Sequence, residues 1–272
     1  MPKLTVLIPC KDERRHIREC IESVRGLADE ILVADSGSTD GTLDIVHDLG
    51  CRVIERNYIN SANFKNWAIP QARHEWVLVV DADERVTPAL AAEIRRALAH
   101  VPRHDAFELK RDLFFLGHRI NHCGVSNNYL VRLIRRDECR YQERRVHADV
   151  VVPSGKIGRL SERMLHYTAL DIDHFLAKQE RYSTWAALDA YEAGKRISLL
   201  KMLVHTPLRF AQLYLFRGGW LDGRAGLVVC GIMAYYTFLK DAKLWALSSS
   251  KTDEQPTPAA LAQPLARLKT AA

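Results

Sequence analysis

Two carboxylates, Asp81 and Asp83, close the apolar run Trp76-Val77-Leu78-Val79-Val80 with Ala82 between them, and Glu84 follows directly. Carboxylates this close repel unless a cation lies between them, and hard oxygen ligands suit Mg²⁺ or Mn²⁺. Mg²⁺ is usually held by one or two carboxylates together with substrate phosphates, so the chemistry on offer is metal-assisted handling of a diphosphate. Side chains alternate along an extended segment, which predicts Asp81 and Asp83 on one face and Ala82 on the other. A buried strand leading into an acidic helix start has the same sequence, and Asp-x-Asp alone does not choose between the two.

The surrounding elements bring more polar residues to the same place. Trp76 to Val80 reads as a strand buried on both faces. Lys3 to Cys10 and Glu30 to Ala34 read the same way, and Cys51 to Glu55 makes a further strand. Ile17, Ile21 and Val24 recur at helical spacing, as do Leu43, Ile45, Val46 and Leu49, with Gly50 as a stop. Asn63 to Ala72 reads as a helix, and Thr87-Pro88 starts another with threonine as cap and proline in the first turn. This alternation predicts an α/β fold with a Rossmann-like, mostly parallel sheet and flanking helices. Ligands of such sheets gather at the carboxyl ends of the strands. Cys10 to Glu13, Asp35 to Gly41 and Asp81 to Glu84 all lie at such ends, so three polar clusters converge on one rim. Lys65 and Arg73 are candidate phosphate partners near that rim, with a solvated helix face as the alternative. Arg132 and Arg135 either meet an anionic acceptor or are strand-edge charges.

The 272 residues carry a net charge of +6 and a pI near 9.0, which favours anionic partners. The basic residues are spread out and no nucleic-acid motif accompanies them, which argues against nucleic acid. A dehydrogenase is disfavoured because no G-x-G-x-x-G follows the first strand. Six cysteines without a CxxC pair fit reduced thiols in the cytosol. The apolar run Leu4 to Pro9 is too short for a signal peptide, so a cytosolic location is expected.

Residues 105–152 change to shorter strands and turns, where an acceptor-facing subsite fits. From Asp171 to Leu247 the periodicity is helical. The most apolar stretch, Ala225 to Leu239, falls short of the roughly 20 residues a spanning helix needs. It either lies in the bilayer interface, with Arg217, Arg224, Lys240 and Lys243 at the headgroups, or belongs to a helical pair packed on the sheet domain. The expected organisation is a domain over 1–168 (nucleotide-binding half 1–100, acceptor-side half 101–168), a helical region over 169–247 with peripheral membrane contact through 197–247, and a disordered Ser/Thr/Pro/Ala tail over 248–272.

Val6-Leu7-Ile8-Pro9-Cys10-Lys11-Asp12-Glu13, Val33 to Thr42 and Val80 to Glu84 occur in the order and spacing of the family 2 glycosyltransferases of the GT-A fold, which the chain resembles over its first 100 residues. Leu130 to Ile134, Arg145-Val146-His147, Leu165 to Thr168 and Gly219 to Gly226 resemble the lipopolysaccharide core glucosyltransferase branch, of WaaE/KdtX type. The resemblance implies an inverting transfer of a sugar from a nucleotide-diphosphate donor, usually UDP-linked, to a hydroxyl of a lipid-linked glycan, with Mg²⁺ or Mn²⁺, on the inner face of the cytoplasmic membrane. Another cell-envelope polysaccharide or a protein as acceptor, or a catalytically silent nucleotide-sugar-binding protein, are the alternatives. It further implies that Pro9, Lys11 and Glu13 contact the nucleotide, that Asp35 reads the base, that Asp81 lies by ribose and metal, and that Asp83 is the metal ligand. A carboxylate accepts the uracil imide proton, which cytosine lacks.

Inversion needs a base beside the acceptor hydroxyl. The related branch reads Val-His-Glu where this chain has Val146-His147-Ala148-Asp149, so the expected carboxylate is missing at Ala148. Glu143 is favoured to replace it, with Asp149 second; both are also candidates for ordinary solvated acids. His147 either ligates the metal, orients the diphosphate, or is structural, and His166 fits a core or interface role.

Overall fold

The computed structural model describes residues 2–99, 103–124, 128–144 and 148–249, and divides into two compact units. The first comprises residues 1–114 and 125–168, the second residues 115–124 and 169–272.

In the first unit, β1 (Leu4–Cys10), α1 (Ile17–Arg25), β2 (Glu30–Asp35), α2 (Thr42–Asp48), β3 (Arg52–Glu55), α3 (Ser61–Ala68) and β4 (Trp76–Val79) follow one another. After these come β5 (Glu84–Arg85), α4 (Pro88–Ala99) and β6 (Ala106–Phe115), and the short β7 (His118–Ile120) falls in the second unit. Strands β8 (Leu130–Arg135), β9 (Arg140–Tyr141), β10 (Val150–Val151) and β11 (Ile157–Ala169) complete the set. The sheet order is β3-β2-β1-β4-β8-β6-β11-β5, with β9 and β10 as a separate hairpin. Alternate residues of β4 enter opposite cores. Trp76 and Leu78 pack with α1 and α4, whereas Val77 and Val79 pack with Phe64 and Ala68 of α3. A strand covered on both faces needs an unbroken apolar run, which is what the sequence supplies.

Pairing is parallel through β3, β2, β1 and β4, as crossover helices dictate, but antiparallel from β4 to β8 and from β8 to β6. The sheet is therefore mixed rather than parallel throughout, because the segment after α4 supplies strands without crossover helices. The Thr87 hydroxyl accepts from the Leu90 N–H at 3.1 Å and caps α4. Asn60 caps α3 in the same way, and that helix stops at Ala68 and tightens into a 3-10 turn over Ile69–Gln71 instead of continuing to Ala72.

The second unit is helical. α5 (Ile172–Glu192), α6 (Leu199–Ala211) and α7 (Gly223–Ser249) follow one another, with a π-helical turn over Gln212–Phe216 and a 3-10 turn over Gly219–Asp222 between α6 and α7. α7 packs against both α5 and α6. Its helix runs through Ser249, and residues 250–272, where a disordered tail was expected, lie outside the described residues. Gly226 sits against the Gly219 carbonyl, so an added Cβ would overlap that oxygen, while a Cβ at Gly231 meets nothing within 4 Å. Gly226→Ala is therefore expected to lower stability by about 1–3 kcal/mol through overpacking. Gly231→Ala is expected to be neutral or to gain up to about 1 kcal/mol from helix propensity. Thermal unfolding followed by circular dichroism separates the two.

Candidate functional site

The first two polar clusters are stitched into one surface by their own side chains. Ser38 Oγ accepts from the Asp12 N–H at 2.8 Å, and Asp12 Oδ1 accepts from the Thr39 N–H at 2.8 Å. Thr42 Oγ1 accepts from the Glu13 N–H and Asp40 Oδ2 from the Arg14 N–H. Asp12 holds a left-handed φ of 54° to allow this, a conformation that a short polar side chain tolerates. Pro9 is the penultimate residue of β1, Lys11 is exposed beyond its end, and the half-buried Glu13 starts α1 by accepting from the N–H groups of His16 and Ile17.

Asp35 is fully buried beneath this surface. Its Oδ2 accepts from the Gly37 and Ser38 N–H groups, both at 2.8 Å, and its Oδ1 from Ser38 Oγ at 2.5 Å and Cys10 Sγ at 3.4 Å. A carboxylate offers about four acceptor positions, so a base imide gains access only if Ser38 Oγ or Cys10 Sγ withdraws. Burial, with Asp35 next to it, pushes the Cys10 thiol far up, which keeps it an uncharged donor.

The third cluster departs from the extended geometry expected for it. β4 ends at Val79, and Asp81 to Glu84 form a turn in which the Asp81 carbonyl accepts from the Glu84 N–H at 2.8 Å. Glu84 Oε2 accepts in return from the Asp81 N–H at 2.9 Å. Asp81 and Asp83 are thus separated by a turn rather than aligned by strand alternation, since this local bond replaces the ladder that would have kept the segment straight.

Asp81 is held by two cations. Lys65 Nζ lies 2.8 Å from Oδ1 and Arg132 Nη2 2.8 Å from Oδ2. The same Arg132 nitrogen reaches Glu84 Oε1 at 2.8 Å, where Arg111 Nη1 also arrives at 2.9 Å. The Glu84 side chain has no exposure and that of Arg132 6%, whereas 30% of the Asp81 side chain remains open. Burial works to raise the Asp81 carboxyl, but the Arg132 guanidinium and Lys65 ammonium outweigh it and hold it well below the ordinary carboxylate range. Burial likewise works against the charge of Lys65, and Asp81 outweighs it, so that ammonium is raised. Lys65 also lies over the Tyr141 ring, 5.3 Å from its centroid.

Arg132 is neither at a strand edge nor at an exposed face, because β8 lies between β4 and β6 and delivers this one charge to the carboxylates at the end of β4. Arg135 pairs instead with Glu75 and Asp105. Arg73 pairs with Glu30, which opens β2, so it belongs to the opposite rim from the three clusters. His166 is not an anonymous core histidine: Nε2 lies 3.3 Å from Asp83 Oδ2, and Nδ1 is buried without a hydrogen-bond partner. Among the described residues no three His, Cys, Asp or Glu side chains form a complete metal cage. Asp83 with His166 beside it nonetheless fits a divalent ion that takes most of its oxygens from a bound diphosphate.

Glu143 and Asp149 are both exposed on the β9–β10 hairpin, where the Asp149 carbonyl accepts from the Gln142 N–H at 2.8 Å. The hairpin is fixed to α3 by the Asn66 amide, which donates to the Tyr141 carbonyl and accepts from its N–H. Glu143 therefore follows by two residues the tyrosine that covers Lys65. Ala148 packs at the margin of the second core. His147 lies outside the described residues.

The sequence profile described as glycosyl transferase family 2 matches residues 5–136. The lipopolysaccharide core biosynthesis glycosyltransferase LpsC of Rhizobium meliloti is 33% identical over 254 residues, covering 90% of this chain and 93% of the relative. An uncharacterized glycosyltransferase of Rickettsia typhi is 29% identical over 258 residues, covering 91% and 88%. Among solved structures, glucosyl-3-phosphoglycerate synthase from Mycobacterium tuberculosis, in complex with Mn²⁺, UDP-glucose and phosphoglyceric acid, overlays 42% of this chain and 44% of its own, with 20% identity and a TM-score of 0.35.

Proposed function

Since the chain belongs to glycosyl transferase family 2 and has the GT-A fold, we propose that it moves a sugar with inversion from a UDP-linked donor to a hydroxyl of a lipid-linked glycan such as lipopolysaccharide core. The observation that carries this reading is the buried charge network that sets Asp81, Asp83 and Glu84 in one turn at the tip of β4. Likeness over nearly the full chain to a lipopolysaccharide core enzyme supports the choice of acceptor.

In this reading Pro9, Lys11, Glu13 and the loop built on Asp35 receive the nucleoside. Lys65 and Arg132 fix Asp81 on the ribose side, and their positive charge favours the approaching diphosphate. Asp83, with the His166 imidazole beside it, is the protein ligand for Mg²⁺ or Mn²⁺, and His147 remains a candidate ligand from the sequence alone. When bound, such an ion neutralises charge growing on the departing diphosphate, a Lewis-acid contribution of several kcal/mol. Glu143, on a hairpin tied to α3 beside Lys65, takes the proton of the attacking hydroxyl, with Asp149 the second candidate. The helical unit contacts the cytosolic face of the membrane through residues 197–247, consistent with unpaired thiols and a lipid-linked acceptor.

Glu143→Gln is expected to lower turnover about a hundredfold with donor affinity unchanged, as removal of a general base does. Asp149→Asn should change turnover far less. Steady-state transfer from labelled UDP-sugar, paired with UDP calorimetry, checks both. UDP binding without transfer to lipopolysaccharide core, capsule intermediates or protein would leave a nucleotide-sugar-binding protein as the better account.

A further inference from the structure

Which part of the helical unit meets lipid is decided by where its apolar side chains point. The sequence put the apolar run Ala225 to Leu239 short of a spanning length, but α7 with its preceding turn is long and apolar enough to cross a bilayer by length and composition alone, over Gly219–Ser249. Its surroundings argue against that use. α7 buries Val229, Cys230, Ala234 and Leu244 against its neighbours, and its Asp241 Oδ2 accepts from the His205 ring of α6 at 2.6 Å. Lys243 is committed to the Glu180 carbonyl and the hydroxyls of Ser183 and Thr184 on α5, so it is not a headgroup contact. α5 itself carries Asp173, Lys178, Glu180, Arg181 and Asp189, and a helix so charged cannot accompany α7 into hydrocarbon.

α6 is built the other way round. A surface helix ordinarily turns its apolar stripe toward the core. Here no residue of α6 is buried, and the polar His205 faces α7 while two adjacent rows face solvent: Leu199, Leu203 and Pro207, then Leu200, Val204 and Leu208. The apolar surface continues past the helix end, with Phe216 84% exposed and Trp220 55% exposed. Charge accompanies it in one sign. Residues 195–235 contain Lys195, Arg196, Lys201, Arg209, Arg217 and Arg224 against one acid, Asp222. That acid is turned inward, accepting from the N–H groups of Asn121 and His122 and meeting the His122 ring at 2.9 Å. An exposed apolar stripe flanked by cations, with its one anion neutralised internally, matches an anionic lipid surface in both chemistry and charge.

We propose that α6 and the corner from Phe216 to Leu221 form an in-plane anchor that inserts its apolar side chains among the headgroups of an anionic bilayer, with α7 as the scaffold beneath rather than a spanning helix. This deepens the membrane contact in the proposed function and rests on that reading. Its test is independent of sugar transfer.

The full chain is mixed with vesicles of phosphatidylcholine alone or with one third phosphatidylglycerol, and binding is read by flotation and by Trp fluorescence with bromine-labelled lipid. Wild type should float with anionic vesicles, release at high salt, and show quenching. Leu203→Glu and Phe216→Glu change exposed side chains, so circular dichroism should be unaltered, and each should weaken binding roughly tenfold or more, the loss of one buried large apolar group. Val151→Glu, an exposed apolar site in the other unit, should bind as wild type. Equal flotation with both vesicle types, or undiminished binding by Leu203→Glu and Phe216→Glu, overturns the proposal. So does light scattering that shows a dimer abolished by these two variants, since a second copy would then be the occupant. Loss of transfer without loss of flotation would count against the proposed reaction and leave the anchor standing.

Discussion

Asp83→Asn is expected to lower sugar transfer about a thousandfold at saturating donor, the scale of losing one charged stabiliser of a departing anion. The substitution keeps shape and hydrogen-bonding capacity beside His166 but removes the negative charge a divalent ion needs. UDP-dependent Mn²⁺ binding, read by electron paramagnetic resonance, should weaken in parallel, and thermal unfolding should change little. Asp81→Asn gives the contrasting result. It strips the counter-charge from Lys65 and Arg132, both largely buried, so stability falls together with activity. Wild-type transfer that persists in excess EDTA, or Asp83→Asn with full activity, would remove the metal role assigned to Asp83.

Arg132→Met is expected to cost about 3–5 kcal/mol of folding stability, the usual penalty for removing one partner of a buried ion pair. The magnitude follows from what remains among the described residues: Glu84, with no exposure, keeps Arg111 and its bond to the Asp81 N–H, and Asp81 keeps Lys65. Arg132→Lys should recover part of the loss, because an ammonium restores charge without the guanidinium fork. The effect has a pH signature. The folded Asp81 carboxyl lies well below its ordinary value because Arg132 and Lys65 overcome the effect of burial. A depressed carboxylate stabilises the fold fully above its unfolded value of about 3.9 and loses that contribution as pH falls toward the folded value. Urea unfolding from pH 6 down to pH 2.5 should therefore show a steeper loss below about pH 4 in wild type than in Arg132→Met. Identical slopes would mean that Asp81 is not held by Arg132 in solution.

The sequence determined the parts of this protein that depend on neighbours along the chain. Apolar runs of four to seven residues flanked by helical periodicity defined β1, β2 and β4 and placed Cys10 to Glu13, Asp35 to Gly41 and Asp81 to Glu84 at their carboxyl ends. Thr87 and Gly50 marked helix boundaries through the same local chemistry. The tertiary structure alone decided what each charge meets. Arg132 reaches Glu84 across 48 positions and His166 reaches Asp83 across 83, distances over which no periodicity carries information. One sequence signal did point to the first: Arg132 is a lone charge inside Leu130-Val131-Arg132-Leu133-Ile134, and a strand buried on both faces must pair such a charge. The turn at Asp81 was hidden because Glu84 folds back onto the Asp81 N–H, a choice set by the cations waiting at the tip of β4. The outward apolar face of α6 was hidden for a related reason. Periodicity reports that a helix has two faces, but only the packing of His205 on Asp241 fixes which of them turns inward.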